Sequence, residues 1–390
     1  LLVLEARNVN YALGQGVDFI HNNGQREPSR NGDVYRCAVP VTTVYERPME
    51  RVLFHPWRDA NPFFHLIEAL WMIAGRDDLE TLTRYVSTFG QFSDDGKTVP
   101  GAYGKRWRDW FESEKRFDPS DQKDKQLYLS GDARLSEDSL FTKIDQLNRV
   151  VEQLRANPHD RRIVIQMWDP AVDPARAAAG GKDVPCNITA LPFLSNGRLS
   201  LTVFCRSNDM VLGAYGANAV HFSFLLEYLA ARAGLPVGEY YQVSNNFHAY
   251  VENAGDPQNC WPAEWGTLGP YTSGAVEPFP IFLGFNSVDV GGGFGRTLED
   301  QEREAMVQQD LALFFDEGPE VANRAARWPF LRQIAAPMAL AHRHWKSRKG
   351  EDRFLGALEI LAQMPERNDW RRAGEEWVQR RYAKWSTANG

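Results

Sequence analysis

A chain of 390 residues that is 43% hydrophobic, 12% aromatic and 24% charged has the composition of a globular protein with a large core, which excludes disorder and collagen-like repeats. Its formal net charge of −7 argues against a generally basic nucleic-acid surface and leaves room for a local anion site. The longest apolar runs, 66–74 and 222–231, are each interrupted by a carboxylate and fall short of the roughly 20 residues that span a bilayer, so no membrane span is expected. The opening LLVLEARNVNY carries Glu5 and Arg7 and lacks the basic start of a signal peptide, which points to a cytoplasmic setting. Cys37, Cys186, Cys205 and Cys260 are scattered and form no CxxC pair, so each is expected as a reduced thiol.

Residues 1–60 read as mixed, with strand-like runs over 34–44 and a polar loop or arm over 21–33. Pro62 opens a helix over 63–74 and Gly75 closes it; a second helix is expected over 79–89. Residues 112–138, dominated by Asp, Lys, Glu and Ser, suggest a flexible insertion. A helix is expected over 139–157 and a buried strand over 162–167. Strands over 187–194 and 199–205 form a hairpin with two available registers. An Asn-Gly turn pairs Phe193 with Ser200, whereas a Ser-Asn-Gly turn with a bulge pairs Phe193 with Leu199 and Leu191 with Leu201. The second is preferred because it keeps one face apolar, and it sets Cys186 across from Arg206. A loop over 207–217, a helix over 218–233 ending at Gly234 and a strand over 238–244 follow. A strand candidate lies over 280–285; beyond Gly-rich 291–295 the chain reads as helical, with segments near 298–315, 321–344, 354–364 and 370–384. The expected division is a catalytic α+β domain over 1–295 and a helical extension over 296–390.

Several residues have the chemistry of a site. A thiol facing a guanidinium is favoured as thiolate, hence nucleophilic, although free Cys is more often a small core residue. Arg206 with Ser207 suits phosphate oxygens, and Asp209 in the same loop suits an N–H donor; an internal Arg–Asp pair is the plainer alternative. Arg30, Arg161 and Arg162 are further phosphate candidates. Glu68 sits in an apolar helix, where burial raises a carboxyl's pKa toward neutrality, or where it pairs structurally with His65 or an Arg. His248 and Tyr250 point the same way on an extended segment and could bind a sugar hydroxyl. Asn218 is an N-cap by default, and its amide also matches a uracil edge. The Gly291–Gly295 run lacks the Lys and Ser/Thr of a phosphate loop. His342 and His344 diverge on a helix and make a poor metal pair. A papain-like Cys186/His248 pair is disfavoured because that thiol sits at a helix N-terminus, not at the start of a strand.

IEALWMIAG (67–75), PGAYGKRW (100–107), DRRIVIQMWDP (160–170), PCNITALPF (185–193), RSNDMVLGAYGAN (206–218) and FHAY (247–250) together resemble the thymidylate synthase family, including its phage nucleotide hydroxymethylases. The resemblance implies an α+β subunit with a large twisted mixed sheet and flanking helices, packed back to back in a homodimer. It implies that Cys186 adds to carbon 6 of a pyrimidine deoxynucleotide, and that Arg30, Arg206 and Ser207 hold the 5′-phosphate, with Arg161 and Arg162 reaching across the dimer. His248 and Tyr250 would bind the 3′-hydroxyl and Asn218 the pyrimidine edge. Asp209, with Phe89 and Trp107, would hold 5,10-methylenetetrahydrofolate; Glu68 and Tyr103 would serve the proton-transfer network. Where synthases carry a water-excluding Trp, this chain has Phe89 and Phe92, and it ends WSTANG without the hydrophobic closing tail of a synthase. Both departures favour hydroxymethylation of dUMP over reductive methylation to dTMP. Asn218 favours dUMP over dCMP, although a loop one residue longer than usual leaves Ala217 and Asn218 as rivals for the base-recognition position. A catalytically idle nucleotide- or RNA-binding relative is the non-enzyme alternative, and the helical tail could also dock another nucleotide-modifying enzyme.

Overall fold

The computed structural model describes residues 2–131, 133–136, 138–255, 269–282 and 300–389. The first elements are β1 (Leu2–Ala6), α1 (Val9–Asn23), β2 (Gly24–Ser29), β3 (Gly32–Cys37), β4 (Val41–Tyr45) and α2 (Pro62–Ile73). They continue with α3 (Leu79–Thr83), α4 (Tyr103–Arg108), β5 (Glu112–Arg116), α5 (Gln122–Leu129), β6 (Ala133–Ser136), β7 (Ser139–Lys143), α6 (Gln146–Ala156), β8 (Ile165–Gln166) and α7 (Asp173–Ala178). β9 (Asn187–Ser195), β10 (Arg198–Cys205), β11 (Asn208–Asp209), α8 (Asn218–Ala233), β12 (Val237–Ser244) and β13 (Phe247–Tyr250) complete the body. A mixed six-stranded sheet in the order β1-β4-β12-β10-β9-β8 forms its centre, and a four-stranded sheet β11-β13-β3-β2 stands beside it. The fold is α+β, as the resemblance implies.

One face of the large sheet is buried by α8. Leu199, Leu201, Val203 and Tyr240 point inward, and Phe222 of α8 packs on Tyr240 at 6.2 Å between ring centroids. The opposite face carries Thr202, Tyr241, Phe193 and Phe204, the two phenylalanines each 37% exposed.

Several expectations are corrected. The β9–β10 hairpin adopts the two-residue Asn196-Gly197 turn, both residues having positive φ (49° and 72°), so Phe193 faces Ser200 and Leu191 faces Thr202. Mixed pairs are tolerated because they lie on the half-exposed face, while Leu199–Leu194 and Val203–Ala190 line the core face. A register shift at Ile188 then pairs Cys205 with Asn187, and Arg206 N–H donates to the Cys186 carbonyl at 2.8 Å. The expected apposition of Cys186 and Arg206 therefore holds through a bulge rather than through the turn.

Residues 112–138, expected as flexible, contain β5, α5 and β6, and β5 and β6 flank β7 in a three-stranded antiparallel sheet. The helix expected over 139–157 starts only at Gln146, after β7, with Asp145 as N-cap. The polar stretch 21–33 is the end of α1 and the β2–β3 hairpin. In α1 a Cβ on Gly16 would collide with the Tyr215 ring, so this helical glycine permits a close approach.

The helical tail expected over 296–390 is present as Asp300–Ala312, Pro319–Ala325, Ala336–Ser347, Asp352–Ala362 and Asp369–Asn389, with π turns after the first helix and before the third. The continuous helix expected over 321–344 is broken near Ala326–Trp328, where Trp328 N–H is captured by Asp310 at 2.6 Å. These helices share one core with the body: Trp370 packs on Phe224 and Trp377 on Phe63, and Glu304 accepts from Tyr228 at 2.6 Å. Arg232 of α8 binds Asp300 through two contacts of 3.0 and 2.7 Å. Cys260, most of the strand candidate over 280–285 and the 291–295 glycines lie outside the described residues. No described helix is long and apolar enough to cross a membrane.

Candidate active site

A cavity of about 590 Å³ opens between the β2–β3 hairpin, the segment leading into β9 and the start of β13. Its lining brings together Arg30, Cys186, Arg206, Ser207, His248 and Tyr250, six residues spread over 220 positions of the sequence. The volume suits a mononucleotide-sized ligand, given the ~300–1,000 Å³ typical of small-molecule sites.

Each residue has a structural reason for its place. The β2–β3 hairpin, closed by Gly32 at φ 113°, puts Arg30 at its tip, and Asn31 Nδ2 reaches the Tyr250 hydroxyl at 3.5 Å. β11 pairs in parallel with β13, setting Asp209 beside His248. His248 Nδ1 lies 3.1 Å from Asn246 Oδ1, which fixes the ring at the cavity wall. Arg206 Nε and Nη2 donate to the Pro185 and Val184 carbonyls, both at 2.9 Å, and Nη2 lies 3.7 Å from Cys186 Sγ. The guanidinium is thereby locked against the nucleophile's own segment. Burial nevertheless raises the thiol's pKa above its ordinary value, with Asp183 adding and Arg206 and Arg30 opposing; desolvation exceeds the guanidinium effect on which the sequence reading relied.

Behind Cys186 runs a chain of amides. Cys205 Sγ donates to Asn187 Oδ1 (2.7 Å), Asn187 Nδ2 to Asn218 Oδ1 (3.2 Å), Asn218 Nδ2 to Asn208 Oδ1 (3.0 Å) and Asn208 Nδ2 to Ser244 Oγ (2.9 Å). Each end dictates the orientation of the next amide, so Asn218 is fixed with one N–H and one lone pair unspent. The segment Met210–Ala217 winds in π-type turns broken by a kink at Tyr215 and Gly216, and it leaves the Asn218 side chain between Asn187 and Asn208. A Cβ on Gly213 would come within 2.7 Å of Asn208 Oδ1, so glycine is required there.

Other expected residues take different positions. Tyr103 is buried under the site and accepts from the Asn187 N–H at 3.2 Å; burial raises its pKa. Glu68 is buried between α2 and α8, and its partner is neither His65 nor an Arg: Oε2 lies 2.9 Å from His221 Nε2. Phe89 packs between Phe64 and Phe92, and Phe92 is the one that lines the cavity. Trp107 is corrected as a cofactor contact: it has no exposed surface and packs on Phe222 in the core. Arg161 and Arg162 are exposed and do not line this cavity, and Arg162 pairs with Asp160 at 2.8 Å. Asp209 Oδ1 caps the π turn by accepting from Leu212 N–H at 2.5 Å, while its buried Oδ2 accepts no well-formed hydrogen bond and burial raises its pKa.

Sequence reasoning did not single out Asn187, His221, Asp183, Lys182, Trp168 or Asn246. A His three residues after Asn218 on a largely apolar helix, answering a Glu on another largely apolar helix, was a readable signal for the His221–Glu68 pair.

The family model for thymidylate synthase matches residues 15–259. The chain belongs to the thymidylate synthase family. Among its relatives, the deoxyuridylate hydroxymethyltransferase of Pseudomonas phage M6 is 40% identical over 98% of this chain and 95% of its own. The enzyme of the same name from Bacillus phage SP01 is 35% identical over 55% of this chain and 50% of its own. A thymidylate synthase from Oenococcus oeni is 28% identical over 41% of this chain and 40% of its own. The similarity to the M6 protein spans the C-terminal helices as well as the family domain. Among the described residues, none from Asp300 onward lines the cavity, so the tail of this family member braces α2 and α8 from outside the site.

Proposed function

We propose that this protein is a folate-dependent transferase that hydroxymethylates dUMP at carbon 5. The observation that carries the reading is the single cavity uniting Cys186 with Arg30, Arg206, Ser207, His248 and Tyr250 in a chain 40% identical, over nearly its whole length, to a phage deoxyuridylate hydroxymethyltransferase. Arg30, Arg206 and Ser207 bind the 5′-phosphate through charge-assisted hydrogen bonds, and His248 and Tyr250 hold the 3′-hydroxyl. Asn218 presents its unspent N–H to a pyrimidine O4 and its unspent lone pair to N3–H, which is the pattern of uracil. Cys186 adds as thiolate to carbon 6, making carbon 5 nucleophilic. Tyr103, Glu68 and His221 support the proton transfers from beneath the base.

Methylenetetrahydrofolate fits the donor set. Asp209 has a buried carboxylate oxygen without a well-formed hydrogen bond, suited to the N–H groups of a pterin. When bound, methylenetetrahydrofolate supplies a one-carbon unit at the oxidation level of formaldehyde. The wall beside Cys186 is polar, with Lys182, Asp183 and Asn246, and Phe92 stands at the mouth, 42% exposed. Such a site admits the water that makes a hydroxymethyl product.

The working unit is a homodimer acting in the cytoplasm of a phage host. The half-exposed Phe193 and Phe204 on the sheet face opposite α8 support pairing through that face, and the exposed Arg161 and Arg162 serve the partner's phosphate site. Product analysis by mass spectrometry, with dUMP or dCMP and methylenetetrahydrofolate, tests the reading. Hydroxymethyl-dUMP with tetrahydrofolate is the expected outcome; dTMP with dihydrofolate, or turnover of dCMP alone, would overturn it.

A further inference from the structure

Adding water to a bound exocyclic methylene requires a base to take the water proton. Two acidic residues line the cavity among the described residues, Glu27 and Asp183. Glu27 is committed to Arg36, with contacts of 2.7 and 2.9 Å. Glu68 is paired with His221 at 2.9 Å and serves the proton transfers beneath the base, and His248 is held by Asn246 on the sugar side. Asp183 is the carboxylate left on the nucleophile's side, three residues before Cys186.

Its position is built. After Gly180 reverses the chain at φ 78°, Lys182 is anchored twice, by its N–H on Asp94 Oδ1 and its Nζ on the Ser93 carbonyl, each at 3.0 Å. Gly101 N–H donates to Asp183 Oδ2 at 2.7 Å, and a Cβ at Gly101 would come just as close to that oxygen. Residues 184 and 185 are fixed in turn by Arg206. Asp183 and Cys186 are therefore two ends of one rigid strut, and the carboxyl lies within electrostatic reach of both the Cys186 thiol and the Tyr103 phenol. One oxygen is spent on Gly101.

We propose that Asp183 is the general base that deprotonates the water attacking the exocyclic methylene of the covalently bound pyrimidine. The inference rests on the hydroxymethylase reading above. The water oxygen bonds to the methylene carbon, the methylene π pair moves to give the enolate at carbons 4 and 5, and the water proton passes to Asp183. The enolate then re-forms the carbonyl and the double bond between carbons 5 and 6, the carbon–sulfur bond breaks, and Cys186 leaves as thiolate. Asp183 returns its proton to solvent. Burial raises the Asp183 pKa, against the pull of Gly101 N–H, Arg106 and Arg176, which makes it a stronger base than an exposed aspartate.

The test compares wild type, Asp183→Asn and Asp183→Glu for three readouts: tritium release from [5-³H]dUMP, hydroxymethyl-dUMP formation, and trapping of the methylene by added 2-mercaptoethanol as the thioether. Asn retains an oxygen for Gly101 N–H. The expected result for Asp183→Asn is a loss of hydroxymethyl product of about 10²-fold. Tritium release and covalent capture of 5-fluoro-dUMP with methylenetetrahydrofolate persist, and the thioether-to-alcohol ratio rises at least about tenfold, with Asp183→Glu restoring part of the alcohol. An unchanged alcohol rate in Asp183→Asn, or equal loss of tritium release and product in both variants, would overturn the assignment. A wild-type product of dTMP would instead overturn the hydroxymethylase reading, and it is read before any variant is compared.

Discussion

Arg206 Nη2 stands 3.7 Å from Cys186 Sγ, yet the thiol's pKa is raised rather than lowered. The guanidinium is shared with two backbone carbonyls, and desolvation of the sulfur outweighs its field.

Alkylation of Cys186 by iodoacetamide should therefore be slow at pH 7 and accelerate with an apparent pKa above that of an ordinary cysteine. Arg206→Ala should move that pKa still higher, because it removes the largest opposing influence. Mass-spectrometric labelling rates across pH 6–10 check both shifts. Cys186→Ala should lower turnover by roughly 10³-fold or more and abolish the 5-fluoro-dUMP adduct.

The amide chain predicts how the base is chosen. Asn187→Asp removes the donor to Asn218 Oδ1 and puts a carboxylate among buried amides. A buried group left unsatisfied costs about 1–3 kcal/mol, so kcat/KM for dUMP should fall roughly 5- to 150-fold while the protein remains folded. Asn218→Asp should shift preference toward dCMP, whose amino group needs an acceptor. Competition assays with both nucleotides measure the ratio directly.

The C-terminal helices contribute stability rather than active-site contacts. Trp370 is 2% exposed and its ring lies 6.1 Å from Phe224 of α8, so Trp370→Ala should cost about 3–5 kcal/mol in chemical denaturation. At temperatures where the variant remains folded, KM for dUMP should be unchanged.

Asp369, beside Trp370, accepts from Tyr271 at 2.9 Å, and burial pushes its carboxyl up to about 7. A buried acid with a raised pKa holds its proton in the folded state after the unfolded chain has lost it. The folded state thus binds more protons between about pH 4 and 7, and this group's contribution to stability falls as pH rises through that window. Asp369→Asn should flatten the decline in unfolding free energy between about pH 4 and 7; an unchanged slope would mean that the carboxyl titrates normally.

If Arg161 and Arg162 serve the partner's site, Cys186→Ala and Arg161→Ala/Arg162→Ala subunits should each be nearly inactive alone. After mixing and reassortment, roughly one quarter of wild-type activity should return, because half the dimers carry one intact site. No recovery would place each site within a single subunit.

What the sequence disclosed follows how local each signal was. The last long helix of the body was readable to the residue, because Asn218 begins it and Gly234, at φ 73°, ends it. β7 was misread as helix because what makes Ser139–Lys143 a strand is pairing with Glu112–Arg116, almost 30 residues away. α1 was missed because Gly14 and Gly16 mask its periodicity. Cys186, Arg206 and His248 were visible from chemistry and motif. Asp183 and Asn187 were not, since their meaning depends on Gly101 and Asn218 across the fold.

The most direct test of the whole account is turnover of dUMP and methylenetetrahydrofolate in ¹⁸O-labelled water, with the product mass read by spectrometry. The account predicts hydroxymethyl-dUMP carrying one ¹⁸O at the new hydroxyl, with tetrahydrofolate as co-product. A methyl product without label, accompanied by dihydrofolate, would contradict it.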